Sequence, residues 1–101
     1  MESNAIRRTL SYMTVRTLSK TRLAREQAIF LALLREVRQE AGLRQRDLAE
    51  RIGVPQSFVS KCESGERRLD IVELRALCVA LGMPLSDFVD RLEKKIAGGG
   101  S

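Results

Sequence analysis

The stretch "GLRQRDLAERIGVPQSFVSKCESGERRLD", Gly42 to Asp70, is punctuated by Gly42, Gly53, Pro55 and Gly65, and its apolar residues fall at helical steps between them. Leu48, Ala49 and Ile52 form one face of Gln45 to Ile52, with Asp47 in the first turn, where a carboxylate suits the helix dipole. Only Gly53 and Val54 separate this segment from a second helical pattern that starts near Pro55, a residue whose fixed φ fits a first helical turn. Two short helices joined so tightly must cross at a steep angle. Such a crossing needs a small residue at the contact point and a turn residue that accepts a left-handed backbone; Ala49 and Gly53 meet these demands. Val54, Val59 and Cys62, with Leu48 and Ile52 opposite, can bury the shared side. Gln56, Ser57, Ser60 and Lys61 are left on one outward face.

The flanks extend the helical pattern. From Thr21 to Ala41, the apolar residues Leu23, Phe30, Leu33, Leu34, Val37 and Ala41 recur at three- and four-residue steps, with Arg35, Glu36, Gln39 and Glu40 on the other face, until Gly42 stops the run. Asp70-Ile71-Val72-Glu73 reads as a capping box opening a further helix, whose stripe is Ile71, Leu74, Leu77, Cys78 and Leu81 and which Gly82 ends. A last helix follows Pro84, with Leu85, Phe88, Val89, Leu92 and Ile96 at helical spacing. That stripe can complete the core or face a second subunit. The expected fold is all-α, with five helices over residues 21–96, the tight helix pair at 45–64, and a flexible Gly/Ser tail at 97–101 that resembles an expression scar.

At 101 residues and 44% apolar content, the chain has room for one small domain but not for a deep catalytic cleft. The net charge of +5 is unevenly placed: Arg7, Arg8, Arg16, Lys20, Arg22 and Arg25 face a single acid, Glu2, in the first quarter, while the remainder is balanced. A balanced body with a basic arm over residues 1–20, extended or disordered and bearing "RTLS" at Arg8–Ser11 and again at Arg16–Ser19, points to a polyanionic partner. There is no apolar run of membrane-spanning length and no apolar leader segment, so no membrane partner is expected and a cytoplasmic location is. Cys62 and Cys78, in a chain without histidine, cannot complete a zinc site and read as small buried hydrophobes. Neither a metal, nor another cofactor, nor a small-molecule substrate is implied. Without a nucleophile beside a base or a phosphate-cradling glycine loop, the sequence does not read as an enzyme.

On Gly42 to Asp70, and more loosely over residues 26–96, the sequence resembles the phage-repressor and Cro type of helix-turn-helix, the Xre family, in particular its small stand-alone regulators. The resemblance implies sequence-specific binding to double-stranded DNA, usually as a homodimer that represses transcription from a palindromic operator. Carried over, it places Gln56, Ser57 and Lys61, with Ser60 beside them, where such proteins read base edges. The chemistry fits, since Gln can bond adenine N6 and N7 together and Lys can donate to guanine O6 and N7. Gln45 matches a phosphate-holding position at a helix N-terminus, with Arg44, Ser64, Arg67 and Arg68 around it. Arg38 and Glu63 match a partly buried ion pair tying the first helix to the reading helix. Phe58 stands at the border of the apolar face, suited to packing or to a thymine methyl.

Three positions depart from the pattern: Arg44 replaces a Ser or Thr cap, Pro55 stands where Ser or Thr is common, and Cys62 replaces a larger apolar residue. The basic arm is expected to add phosphate or minor-groove contacts. The rival reading is a DNA-binding antitoxin, or an interaction adaptor that uses the apolar face of the last helix.

Overall fold

The computed structural model describes residues 19–98; residues 1–18 of the basic arm and 99–101 of the tail lie outside them, whereas Lys20 opens the first helix and Ala97 ends the last, so neither belongs to an irregular segment. The described residues form five α-helices and no strand: α1 (Lys20–Glu40), α2 (Gln45–Ile52), α3 (Gln56–Ser64), α4 (Ile71–Ala80) and α5 (Leu85–Ala97). None of these helices is long and apolar enough to cross a membrane. α1 starts one residue earlier than its apolar repeat suggests, because the Ser19 hydroxyl accepts the Arg22 backbone N–H at 3.1 Å and caps the first turn.

The core is built from the stripes that periodicity picks out. Leu33, Leu34 and Val37 of α1 meet Leu48 and Ala49 of α2, Val59 and Cys62 of α3, Leu74, Leu77 and Cys78 of α4, and Phe88 of α5. Phe88 is fully buried and meets Phe30 edge to face, with ring centroids 5.9 Å apart and planes at 77°. Leu85 and Leu92 also pack against the core, so α5 completes the domain rather than standing off it. Arg91 of α5 holds Glu36 at 2.8 Å and Glu40 at 2.9 Å on α1, while Arg51 of α2 donates to the Ala80 carbonyl at the end of α4 at 2.9 Å.

Three expectations change on contact with the structure. Pro55 is the residue before α3, with φ −65° and ψ 154°, so its ring orients the entry to the helix without being part of it. Leu23 and Ile71 belong to the apolar stripes by spacing but remain exposed, at 48% and 60%. Both lie in the first turns of α1 and α4, where the helices run past the core.

The turn between α2 and α3 closes as a Schellman motif: Val54 N–H donates to the Ala49 carbonyl at 3.0 Å and Gly53 N–H to the Glu50 carbonyl at 3.2 Å. This needs a left-handed residue, and Gly53 supplies it at φ 73°. Nothing lies within 4 Å of where a Cβ at Gly53 would stand, so the demand is conformational and not steric. We predict that Gly53→Ala lowers unfolding free energy by about 1 kcal/mol and Gly53→Asn by less, because Asn visits the left-handed region more readily. Urea denaturation of the two variants measures the order.

Candidate nucleic-acid interface

α3 divides cleanly into two sides. Val59, Cys62 and Glu63 point inward and are buried, while Gln56, Ser57, Ser60 and Lys61 are exposed, with no side-chain hydrogen bond or ion pair to another described residue. Phe58 is half-buried against the core and is roofed by Arg67, whose guanidinium carbon lies 4.4 Å from the ring centroid. That contact accounts for Phe58 by packing.

The inward side is organised by one carboxylate. Glu63, only 2% exposed, accepts Arg38 Nε at 2.6 Å on Oε2, and Arg38 Nη2 at 3.1 Å together with Gln45 Nε2 at 3.0 Å on Oε1. Arg35 Nε stands 3.8 Å away at the exposed margin. Arg38, 8% exposed, uses its remaining nitrogen Nη1 to hold the Leu43 carbonyl at 2.7 Å. Glu63 therefore joins α1, the N-terminus of α2 and the C-terminal turn of α3, and Arg38 adds the α1–α2 turn. No buried side-chain nitrogen or oxygen among the described residues lacks a partner. That completeness is what makes a buried ion pair tolerable.

Around this node sit the residues expected at phosphates. Gln45 is oriented by Glu63 through one amide N–H, which leaves the other available. Arg44 cannot cap α2 with its side chain; Asp47 accepts the Arg44 backbone N–H at 2.8 Å and Nε at 2.9 Å and Nη2 at 3.1 Å of its guanidinium. Those bonds hold the Asp47 carboxyl down at about 2. Asp47 thus supplies only the reciprocal half of a capping box, and α2 has no side-chain acceptor at its N-cap. Ser64, the last residue of α3, donates its Oγ back to the Lys61 carbonyl at 3.1 Å. Arg68 is exposed, and its guanidinium has no ion-pair partner among the described residues.

Arg67 is the residue whose surroundings the sequence did not disclose. Its Nη1 and Nη2 meet Glu73 Oε1 at 3.0 Å and Oε2 at 2.7 Å, fork to fork, and Nη1 also reaches the Arg68 carbonyl at 3.2 Å. Glu73 accepts the Asp70 backbone N–H at 3.0 Å, and the Asp70 carboxylate accepts the Glu73 N–H at 2.7 Å, completing the expected capping box. Arg67 first, and then the Asp70 N–H, hold the Glu73 carboxyl down at about 2. The box was legible from its four-residue pattern. The Arg67–Glu73 pair spans a loop and a helix start and leaves no periodic trace.

Cys62 and Cys78 are free thiols in the core, and burial pushes both above the ordinary thiol value. Cys62 fills its place under α3 with 1% exposure, and the Arg67 side chain beside it opposes part of the effect of burial.

Among known proteins, a helix-turn-helix domain family matches residues 29–90. A solved structure described as an XRE-family like protein from Pseudomonas syringae pv. tomato str. DC3000 superimposes with a TM-score of 0.64 at 48% identity, covering 70% of this chain and 85% of that one. No curated protein matches the sequence.

The buried node sets the energetic scale of the site. Exposed pairs such as Arg91–Glu40 contribute little because solvent screens them, whereas removing one partner of a buried pair strands a charge. We predict that Arg38→Met or Glu63→Met alone costs about 3–5 kcal/mol, and that the double variant costs much less than the sum of the two. Chemical denaturation of all four proteins checks the cycle.

Proposed function

The chain belongs to the Xre-type helix-turn-helix family of DNA-binding transcriptional regulators, and from that membership we propose that it binds a specific double-stranded sequence by laying α3 in the major groove. The observation that carries this reading is the free edge of α3. Gln56, Ser57, Ser60 and Lys61 project from a helix whose opposite side is locked by Val59, Cys62 and Glu63, so their donors and acceptors are presented at fixed positions. Gln45 and Arg44 lie at the N-terminus of α2, Ser64 at the end of α3 and Arg67 and Arg68 in the α3–α4 loop, and we assign them to backbone phosphates, which set register without reading sequence.

We further propose that the protein is a cytoplasmic repressor that acts as a two-fold homodimer on a palindromic operator, with the basic arm before α1 adding phosphate or minor-groove contacts. The competing reading, an antitoxin or adaptor that engages a protein through its last helix, draws less support from the packing. α5 commits Phe88, Leu85 and Leu92 to the domain's own core.

The reading face is tested at Gln56. Gln56→Ala weakens binding to the selected operator by roughly five- to a hundredfold, the loss of one good base contact, and changes affinity for random duplex DNA little. Fluorescence anisotropy titrations on both duplexes measure the two affinities. Equal losses on both would move Gln56 from base edges to the backbone.

A further inference from the structure

Arg67 and Glu73 form a bidentate pair at the margin of the proposed DNA face, with the guanidinium side chain 40% exposed and the carboxylate 31% exposed. Four contacts converge on Arg67: its Nη1 and Nη2 fill both oxygens of Glu73, its Nη1 bonds the Arg68 carbonyl, its plane covers the Phe58 ring, and its backbone N–H donates to the Lys61 carbonyl of α3 at 3.1 Å. A carboxylate presented this way offers the same two-oxygen fork that a phosphodiester offers to a guanidinium. Among the described residues, the neighbouring cations Lys61 and Arg68 have no such anion as a partner.

We propose that Glu73 is a specificity-setting positioning residue: it occupies the Arg67 fork in place of a DNA phosphate, so that Arg67 contributes to binding only where the duplex sits close enough to displace the carboxylate. The inference rests on the reading that the α2–α3 face meets duplex DNA. Its physical content is a competition. On random DNA, where contacts are loose and electrostatic, Arg67 stays with Glu73 and releases no counterion. On a sequence that seats α3 fully, a phosphate takes the fork. Glu73 keeps its second bond in both states, the one from the Asp70 backbone N–H, so α4 remains capped while Arg67 changes partner.

Glu73→Gln separates these roles, because the amide oxygen can still accept from Asp70 N–H while the charge that holds Arg67 is gone. The experiment measures affinity for a random duplex between about 50 and 200 mM salt for the full-length protein, Glu73→Gln, Arg67→Met and the double variant. Glu73→Gln is expected to bind random DNA more tightly at low salt and to lose about three- to fourfold more affinity across that range than the unmodified protein, the signature of one additional phosphate contact. In the Arg67→Met background the same substitution should leave the salt dependence unchanged. Arg67→Gln serves as a second background, should Arg67→Met fail to fold.

An equal steepening with and without Arg67 would overturn the proposal, because simple repulsion between Glu73 and the duplex would then explain it. No steepening in any background would overturn it as well. Failure of the unmodified protein to bind duplex DNA of any sequence would instead overturn the underlying reading, and the inference with it.

Discussion

The carboxylate of Glu63 is the fixed point on which the placement of the reading helix depends. It is buried and charged, and it is tolerated because Arg38 and Gln45 fill both of its oxygens while Arg38 also closes the α1–α2 turn. Apolar packing through Val59 and Cys62 fixes the depth of α3 but constrains its rotation and slide weakly, since dispersion contacts are non-directional. Directional bonds from two other helices remove that freedom. The proposed role of α3, presenting Gln56, Ser57, Ser60 and Lys61 to duplex DNA, needs this, because a displacement of about 1 Å is enough to break hydrogen-bond geometry.

The same device recurs around the interface with exposed partners. Asp47 holds Arg44 and accepts the backbone N–H that precedes α2, and Glu73 holds Arg67 and accepts the one that precedes α4, so in each case one acid in a first helical turn also restrains a neighbouring cation. These exposed pairs contribute little to stability individually. Their effect is to reduce the number of positions that the surrounding donors can adopt, which lowers the ordering cost when a partner binds. Gln45 belongs to the same scheme, with one amide hydrogen held by Glu63 and the other left free.

Much of this was legible in the sequence, for reasons that differ by feature. The five helices were readable because stripes, glycine stops and the Asp70–Glu73 box are local patterns, and Gly53 with Ala49 identified the tight turn by the demands of a steep crossing. The exposed edge of α3 followed from its register against Val59 and Cys62. Arg38–Glu63 was suggested by resemblance alone, since no spacing rule pairs residues 25 apart; the structure supplies its bonds and adds Gln45 to it. Leu23 and Ile71 fall on the apolar stripes by spacing yet are exposed, because periodicity reports a face and not how far the core extends along it. The sequence places Arg67 among the phosphate contacts by resemblance, and its partners Glu73 and Phe58 emerge only from the path of the α3–α4 loop.

The central claim is that a rigidly held α3 reads base sequence, and selection of bound duplexes from a random pool by the full-length protein tests it most directly. The account predicts enrichment of a two-fold symmetric sequence whose half-sites lie about one helical turn apart, roughly 34 Å, or a multiple of it. A pool that stays random after repeated rounds, although the protein binds it, would contradict the account and reduce the α3 edge to a non-specific polar surface.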